Sequence, residues 1–292
     1  MTLRAKMAAG LAMATALVFA GSAQAEPNID PNPDVTELVI NGEIPITIRA
    51  PAPDHLDGAL PEIYSGWLYR DASTREMEMD DFENPAMPFV DAGIEAWNAV
   101  DGSEGKSCAD CHGAIEEGMA GVRAVMPKVN EAGALWSMED YINDCRVNRM
   151  GAEAYDWDKQ PMKNITAAIA AQSRGMPVNV AIDGAAAPYW EQGREMYYTR
   201  YGKLQLSCAS CHQENNNNFI RGDHLSQGQI NGFPVYRLKQ SALVTIHNRF
   251  YGCVRDTQAE SFAKGGDELR ALELYVASRG NGLSVEGPSV RP

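Results

Sequence analysis

Residues 208–212 read Cys-Ala-Ser-Cys-His, and residues 108–112 read Cys-Ala-Asp-Cys-His. The spacing Cys-x-x-Cys-His is typical of covalent haem c attachment, in which the two cysteines form thioethers and the histidine binds the iron. One copy could be a redox dithiol, but two copies in one chain indicate two covalently bound haem c groups. The predicted attachment residues are Cys108, Cys111, Cys208 and Cys211, and the predicted histidine ligands of the two irons are His112 and His212.

The sequence ahead of each motif repeats with a period of about one hundred residues. Gly93 and Trp97 match Gly193 and Tyr197, in segments that favour a helix before each motif. Helical patterns over residues 164–174 and 268–279 then end each half, and both finish with arginine followed by glycine, a helix stop signal. We therefore predict a mostly α fold with two tandem class I cytochrome c domains related by duplication.

The predicted domain boundaries follow from this repeat. Residues 88–178 form cytochrome c domain 1, and residues 179–292 form cytochrome c domain 2. Residues 26–87 form an irregular N-terminal extension that we expect to pack on the first haem domain, or alternatively on a partner protein. Within the extension, two apolar segments flank Asn41-Gly42, a favoured hairpin turn, which predicts a short β-hairpin.

Residues 1–25 are predicted to be a signal peptide. Arg4 and Lys6 precede an apolar segment over residues 7–20, and Ala23-Gln24-Ala25 fits a small-residue cleavage site. A membrane anchor is disfavoured, because this apolar segment is shorter than the roughly 20 residues of a spanning helix. We expect cleavage after Ala25, export to the periplasm and no membrane span after cleavage.

The chain is acidic, with a formal net charge of -14 at pH 7. Repulsion between like charges argues against nucleic acid and anionic membrane surfaces as partners. The acidity leaves open a basic face on a partner protein, and it also leaves open a local basic pocket for a small anion.

The two remaining cysteines, Cys145 and Cys253, are predicted to supply the sixth ligands of the irons. One lies in each half, between the haem motif and the final helix. Ser137 is a suitable N-cap for a helix that carries the first, and an apolar helical run from Ser241 leads to the second. Equivalent placement favours thiolate ligation in both halves, which lowers the reduction potential relative to methionine ligation.

Three alternatives remain for these positions. An exported protein could form a Cys145–Cys253 disulfide, and His247 could replace Cys253 as the second ligand. For the first haem, methionine is a common ligand in electron carriers, and four methionines lie at suitable positions. They are Met126, Met138, Met150 and Met162. No methionine follows Met196, so the second haem cannot take one that follows its own motif.

Arg249 precedes Cys253 by four residues, so on a helix the two side chains share one face. A guanidinium beside a thiolate lowers the thiol pKa and offers hydrogen-bond donors to an oxyanion. Arg237 and Arg255 lie nearby in the sequence, whereas no arginine stands four residues before Cys145. The second half is therefore the better anion site, although Arg249 could equally bind a haem propionate.

The segment Arg249-Phe250-Tyr251-Gly252-Cys253, with two haem motifs and one downstream cysteine in each half, resembles the SoxA family of dihaem cytochrome subunits in bacterial thiosulfate oxidation. Further matching stretches lie at residues 206–212, 221–223, 231–234 and 279–282. The resemblance implies an L-cysteine S-thiosulfotransferase. Such an enzyme joins thiosulfate oxidatively to a cysteine of a SoxYZ-like carrier protein and gives cysteine S-thiosulfonate.

The same resemblance implies partners and residue roles. A SoxX-like monohaem cytochrome subunit completes a heterodimer, and a c-type cytochrome accepts the electrons. Cys253 is implied to be both a ligand of the second haem iron and the catalytic sulfur, so that domain 2 holds the active-site haem. Arg249 is implied to bind thiosulfate, and His112 and Cys145 are implied ligands of the first haem iron.

Two other functions fit part of the pattern. A dihaem electron-transfer cytochrome without sulfur-transfer activity predicts no substrate-dependent change at the second haem, and the missing methionine after the second motif counts against it. A dihaem peroxidase needs an open or displaceable sixth position for peroxide, which thiolate ligands on both irons would block.

Overall fold

The computed structural model describes residues 28–292, so the predicted signal peptide and its cleavage point after Ala25 lie outside the described residues. Within residues 28–292 helices are the main secondary structure, and ten of them are α-helices. The helices are α1 (Ala72–Met79), α2 (Met87–Asn98), α3 (Ala109–His112), α4 (Ile115–Gly118), α5 (Met138–Arg149), α6 (Gln160–Ala171), α7 (Ala187–Tyr198), α8 (Cys208–His212), α9 (Ile246–Asp256) and α10 (Asp267–Ser278). In the same range no helix has the length and apolar character needed to cross a membrane.

The strands are short and form small separate sheets. They are β1 (Leu38–Ile40), β2 (Ile44–Ile46), β3 (Arg49–Pro51), β4 (Glu62–Tyr64), β5 (Lys128–Val129), β6 (Leu135–Trp136), β7 (Phe219–Ile220), β8 (Asp223–His224), β9 (Val235–Arg237), β10 (Ala242–Val244) and β11 (Ser289–Arg291). The first eight strands pair successively as antiparallel two-stranded sheets. In the remaining sheet, β9 lies between antiparallel β10 and parallel β11.

Two crossing helix pairs form the cores of the two halves. α2 packs on α6 in the first half, and α7 packs on α10 in the second. A glycine stands at each crossing. A Cβ atom added to Gly93 would overlap the carbonyl oxygen of Asn164, and one added to Gly193 would overlap that of Ala271. The helices predicted before each motif and at the end of each half are thus confirmed, and glycine allows their backbones to touch.

The N-terminal extension forms the predicted hairpin. β1 and β2 pair with Leu38 opposite Ile46. Asn41, Gly42 and Glu43 lie between the strands, and the first two have positive φ, at 56° and 69°. Asparagine and glycine are favoured at such turn positions because they tolerate positive φ.

The extension contacts both halves of the chain. Asp81 forms an ion pair with Arg174 of the first half, in which Asp81 Oδ1 lies 2.7 Å from Arg174 Nη1. Arg70 donates a hydrogen bond from Nη2 to the carbonyl oxygen of His224 in the second half, at 2.6 Å. The extension therefore contacts both halves of the chain, and not only the first haem domain as expected. The contact with the second half brings Arg70 towards the second motif.

The helix that carries Cys253 begins later than predicted. The apolar residues after Ser241 form β10, which pairs with β9, and α9 follows it. Thr245 caps α9, because its Oγ1 accepts a hydrogen bond from the backbone N–H of Asn248 at 3.3 Å. Strand pairing therefore overrides the helical tendency of the apolar run. α5, by contrast, begins after a capping box at Ser137, as predicted.

We predict that Gly193→Ala destabilises the protein, because the new methyl group must displace the backbone of Ala271. Overpacking of this kind costs about 1–3 kcal/mol, so the midpoint of chemical denaturation of the holoprotein should fall. Gly222→Ala is the matched control, since nothing lies within 4 Å of the position of its Cβ. Equal midpoints for the two variants would contradict the close crossing.

Candidate functional site

Each haem motif lies on a capped helical turn. Before α8, Ser207 Oγ accepts a hydrogen bond from the Ser210 backbone N–H at 3.1 Å, and Ser210 Oγ accepts one from the Ser207 N–H at 3.2 Å. Before α3, Ser107 and Asp110 exchange the same two hydrogen bonds. This reciprocal capping fixes the turn that carries both cysteines and the histidine of each motif.

The imidazole of His212 is oriented for metal binding. Its Nδ1 lies 2.8 Å from the carbonyl oxygen of Ser226, so Nδ1–H donates there and Nε2 carries the free lone pair. The ring rests against Gly228, where an added Cβ would lie 2.8 Å from the imidazole Cγ. Burial lowers the pKa of His212 to about 4, and the charges of Arg249 and Arg279 add to this effect. The imidazole is therefore neutral at pH 7, which is the form that binds a metal.

Buried polar groups around His212 lack partners within the protein. Nη2 of Arg279 and both polar side-chain atoms of Gln229 have no hydrogen-bond partner among the described residues. Gln229 follows Gly228 in the chain, and Arg279 acts on the charge of His212. Because unpaired buried polar groups are costly, the two donors among them, Arg279 Nη2 and Gln229 Nε2, fit the propionates of a haem. The residues around the second motif therefore fit a haem c.

The first motif is more open. His112 and Cys111 are both exposed. The imidazole of His112 lies 5.7 Å from the ring of Trp97, whose Nε1–H donates to the carbonyl of Gly113 at 3.0 Å. A haem held by these residues would cover the exposed cysteine and histidine, so the arrangement also fits a haem c.

Each additional cysteine lies beside the motif of its own half. Burial raises the pKa of Cys208 to about 12, and the nearby thiol of Cys253 raises it further. In the first half, burial raises the pKa of Cys108, and Cys145 adds to the effect. All six cysteines of the chain lie within residues 28–292, and all are free. The structure therefore contains no Cys145–Cys253 disulfide.

His247 is already engaged in hydrogen bonds. Its ring is 1% exposed; Nδ1 accepts from the backbone N–H of Gly265 at 2.9 Å, and Nε2 lies 3.1 Å from Oε2 of Glu273. The imidazole also stacks on Trp157, with ring centroids 4.8 Å apart. With both nitrogens occupied, His247 is unavailable as the sixth ligand. The four methionines considered for the first haem are all buried in the protein.

Arg249 and Cys253 share the exposed face of α9, while the opposite face is buried. Arg237 is close to Arg249 and Cys253. Burial lowers the pKa of Arg237, and the charge of Arg249 lowers it further, whereas the charges of Asp223 and Cys253 act in the opposite direction. Lys239 neutralises Asp223 through an ion pair of 2.9 Å. Positive charge therefore surrounds the exposed thiol.

Arg70 joins this group from the N-terminal extension. Burial lowers the pKa of Arg70 to about 10, and repulsion from Arg291 and Arg249 contributes. The guanidinium still remains protonated at neutral pH. Nothing in the local sequence of the extension signals this residue, because its proximity to Arg249 arises only from the tertiary fold.

Two capped Cys-x-x-Cys-His turns, each beside a crossing helix pair and one further cysteine, define a c-type cytochrome. The SoxA/TsdA cytochrome c domain family matches this chain over residues 92–178 and 192–285. The chain belongs to the SoxA family.

Relatives of known name resemble the chain over almost its whole length. The L-cysteine S-thiosulfotransferase subunit SoxA of Paracoccus pantotrophus is 57% identical over 96% of both chains. The subunit of the same name from Rhodovulum sulfidophilum is 56% identical over 98% of this chain and 99% of its own. A crystal structure of SoxXA from P. pantotrophus contains a similar chain, with 58% identity and a TM-score of 0.86 over 88% of this chain and 98% of that one.

We predict that Gly228→Ala impairs haem binding at the second motif, because the methyl group would press on the imidazole of His212 and the φ of 77° disfavours alanine. The low-spin spectrum of that haem should change, while Gly222→Ala should leave it as in the wild type. Visible and EPR spectra of the purified holoproteins test this. Unchanged spectra in Gly228→Ala would contradict the inferred contact.

Proposed function

We propose that this chain conjugates thiosulfate oxidatively to a cysteine of a SoxYZ-like carrier protein, giving cysteine S-thiosulfonate. The observation that carries the proposal is the exposed face of α9, where Cys253 and Arg249 stand beside the second haem motif. The similar proteins from P. pantotrophus and R. sulfidophilum are named as subunits of L-cysteine S-thiosulfotransferases. Each conjugation of thiosulfate with a carrier thiol releases two electrons and one proton.

The arginines provide the binding site for the substrate anion. Thiosulfate is a dianion, and the chain as a whole repels anions because its net charge is -14. Arg249, Arg237 and Arg70 gather positive charge near Cys253, and Lys239 pairs with the opposing carboxylate of Asp223. Arg249 presents the exposed guanidinium that can donate two hydrogen bonds to the thiosulfate oxygens.

Cys253 is the reacting sulfur in this proposal. Its thiolate forms an S–S bond with the terminal sulfur of thiosulfate, and two electrons leave. The carrier thiolate then attacks that same sulfur, the bond to Cys253 breaks, and the carrier retains the S-thiosulfonate group. The exposure of Cys253 allows both the small anion and the carrier cysteine to reach it.

Two haem c groups are proposed, one for each motif. When bound, haem supplies the electron acceptor for the sulfur chemistry. Cys108 and Cys111 attach the first haem and Cys208 and Cys211 the second. His112 with Cys145, and His212 with Cys253, are the proposed iron ligands. The position of Cys145 beside Cys108, and of Cys253 beside Cys208, supports these pairs.

The finer organisation belongs to the same proposal. Residues 88–178 and 179–292 are two cytochrome c domains related by duplication, which the equivalent glycine crossings of α2–α6 and α7–α10 support. Residues 1–25 direct export to the periplasm and are removed after Ala25. The similar chain in the SoxXA structure supports a SoxX-like monohaem partner, and a c-type cytochrome is the electron acceptor.

Replacement of the proposed reacting sulfur tests the function directly. Cys253→Ala should lower turnover by about a thousandfold or more, as removal of a nucleophile does, while the four attachment cysteines retain both haems. Mass spectrometry of the carrier protein measures the conjugate, and the haem-to-protein ratio is the control. Full activity in this variant would refute the sulfur-transfer role and leave an electron-transfer cytochrome.

Arg249→Gln should raise the KM for thiosulfate by about 10- to 100-fold, because a hydrogen bond to a charged group contributes roughly 1.5–3 kcal/mol. Arg255→Gln is the matched control, since Arg255 lies on the same helix but is paired with Asp256 at 2.7 Å. The difference between the variants should shrink at high salt, which screens exposed charges. Equal KM values for Arg249→Gln and Arg255→Gln at low salt would show that thiosulfate does not bind at Arg249.

A further inference from the structure

Two buried glutamates meet between the halves of the chain. Glu139 belongs to α5 and Glu273 to α10, and their residues are only 6% and 3% exposed. Both line a cavity of about 20 Å³, together with Arg123 and Thr166. A polar cavity must have a volume of roughly 10–15 Å³, measured in the same way, to hold one water molecule. The cavity therefore has room for one water beside the two carboxylates.

The helices that carry Cys145 and Cys253 both begin at this cluster. Glu139 stands six residues before Cys145 in α5 (145 − 139), and His247 stands six residues before Cys253 in α9 (253 − 247). Six residues span about 9 Å along a helix. Glu273 joins the two helices, because its Oε2 accepts hydrogen bonds from Ser137 Oγ at 2.5 Å and from His247 Nε2 at 3.1 Å.

The two glutamates, when both are ionised, carry one more negative charge than the neighbouring basic side chains can balance. Arg123 is the neighbouring cation, but its guanidinium donates to the backbone carbonyls of Met126, Ile230 and Phe233 and to neither carboxylate. The outer ion pair of Asp140 with Arg270, at 2.6 Å, is neutral in itself.

His247 does not supply the missing charge. Its Nδ1 accepts a hydrogen bond from the N–H of Gly265, so the single ring proton lies on Nε2 and the imidazole is neutral. Two ionised glutamates with Arg123 would therefore carry a net charge of −1 in the protein interior. One bound proton makes the cluster neutral, which is the cheaper state for a buried group.

The proton belongs on Glu139. Burial and the charge of Glu273 raise the pKa of Glu139 to about 7, although the charge of Arg123 opposes the change. Burial would also raise the pKa of Glu273, but the hydrogen bonds from His247 and Ser137 and the charge of Arg123 bring it below its usual value. Glu139 is thus partly protonated at neutral pH, and a small change in the local field changes its occupancy.

We propose that Glu139, Glu273 and one water in this cavity form a proton site that is linked to reduction of the chain. When the oxidised protein takes up one electron, a proton from solvent binds Glu139 in those molecules where it is still a carboxylate and converts it to a carboxylic acid. Reoxidation releases the same proton. The electrons are those of thiosulfate conjugation, and this inference rests on the proposed redox centres at Cys145 and Cys253. Glu139 and Glu273 take no part in the sulfur-transfer steps themselves.

Simple electrostatics gives the expected size of the coupling. By Coulomb's law, one negative charge added roughly 12 Å from any carboxylate, in a medium with an effective dielectric constant of about 20, raises the proton affinity of that carboxylate about tenfold. The sign follows from linkage: reduction favours the protonated form, so the protonated form favours reduction. The midpoint potential should therefore fall as the pH rises through the pKa of Glu139 and level off above the pKa of the reduced protein.

Spectroelectrochemical titration of the dihaem holoprotein between about pH 5 and pH 9 tests the site. The wild type should show a midpoint potential that falls with pH near neutrality, by up to about 59 mV per tenfold change in proton concentration for one electron. Glu139→Gln should lose this dependence, because the amide is neutral throughout. Glu131→Gln is the matched control; it replaces an exposed glutamate and should behave as the wild type.

An infrared difference spectrum between the reduced and oxidised wild type gives a readout that does not need the variant to fold. With 13C-labelled glutamate, reduction should replace a carboxylate band by a protonated carboxyl band. A flat titration in the wild type, the same slope in Glu139→Gln, or no new carboxyl band would each overturn the proposal. Both measurements use a chemical reductant without thiosulfate, so their failure is separate from failure of the sulfur-transfer function.

Discussion

The contact between α7 and α10 leaves no room for a side chain at Gly193, and the geometry of the second half depends on it. α7 precedes the turn that carries the second motif, Arg279 at the C-cap of α10 acts on the charge of His212, and α10 itself supplies Glu273 beside His247. A wider crossing would separate these groups from the motif. The same constraint recurs at Gly93, where α2 meets α6. Close packing of the helix backbones therefore determines the positions of the side chains around the second motif.

The acidic chain creates a positive site by collecting arginines from distant segments. Arg249 and Arg237 come from the second half, and Arg70 comes from the extension. Their mutual repulsion and partial burial are unfavourable, as the lowered pKa values of Arg237 and Arg70 show. Such local costs are typical of functional sites, where binding an anion offsets them. The extension thus contributes to the electrostatics of a site that lies far from it in sequence.

Local signals made much of the fold predictable. The capping of α5 at Ser137 and the turn at Asn41-Gly42 each depend on a few neighbouring residues, and each is present as predicted. The beginning of α9 was predicted wrongly, because pairing between β9 and β10 depends on residues elsewhere in the chain.

The contacts of Arg70, Glu139 and His247 also depend on tertiary structure. In sequence, His247 is a plausible iron ligand, and Glu139 is an ordinary acidic residue in the first turn of a helix. Only the packing of α5, α9 and α10 gives His247 two hydrogen-bond partners and buries Glu139 beside a second carboxylate. Spacing along the chain contains no signal for such a cluster.

Cys145 and Cys253 are each proposed to stand at the haem of their own half, with Cys253 beside the substrate anion. EPR spectroscopy of the ferric holoprotein, compared with the Cys145→Ser and Cys253→Ser variants, is the most direct test of this arrangement. Each substitution should remove one low-spin signal of histidine–thiolate ligation and leave the other unchanged. Spectra that are identical in all three proteins would contradict thiolate ligation in both halves, and with it the proposed role of Cys253.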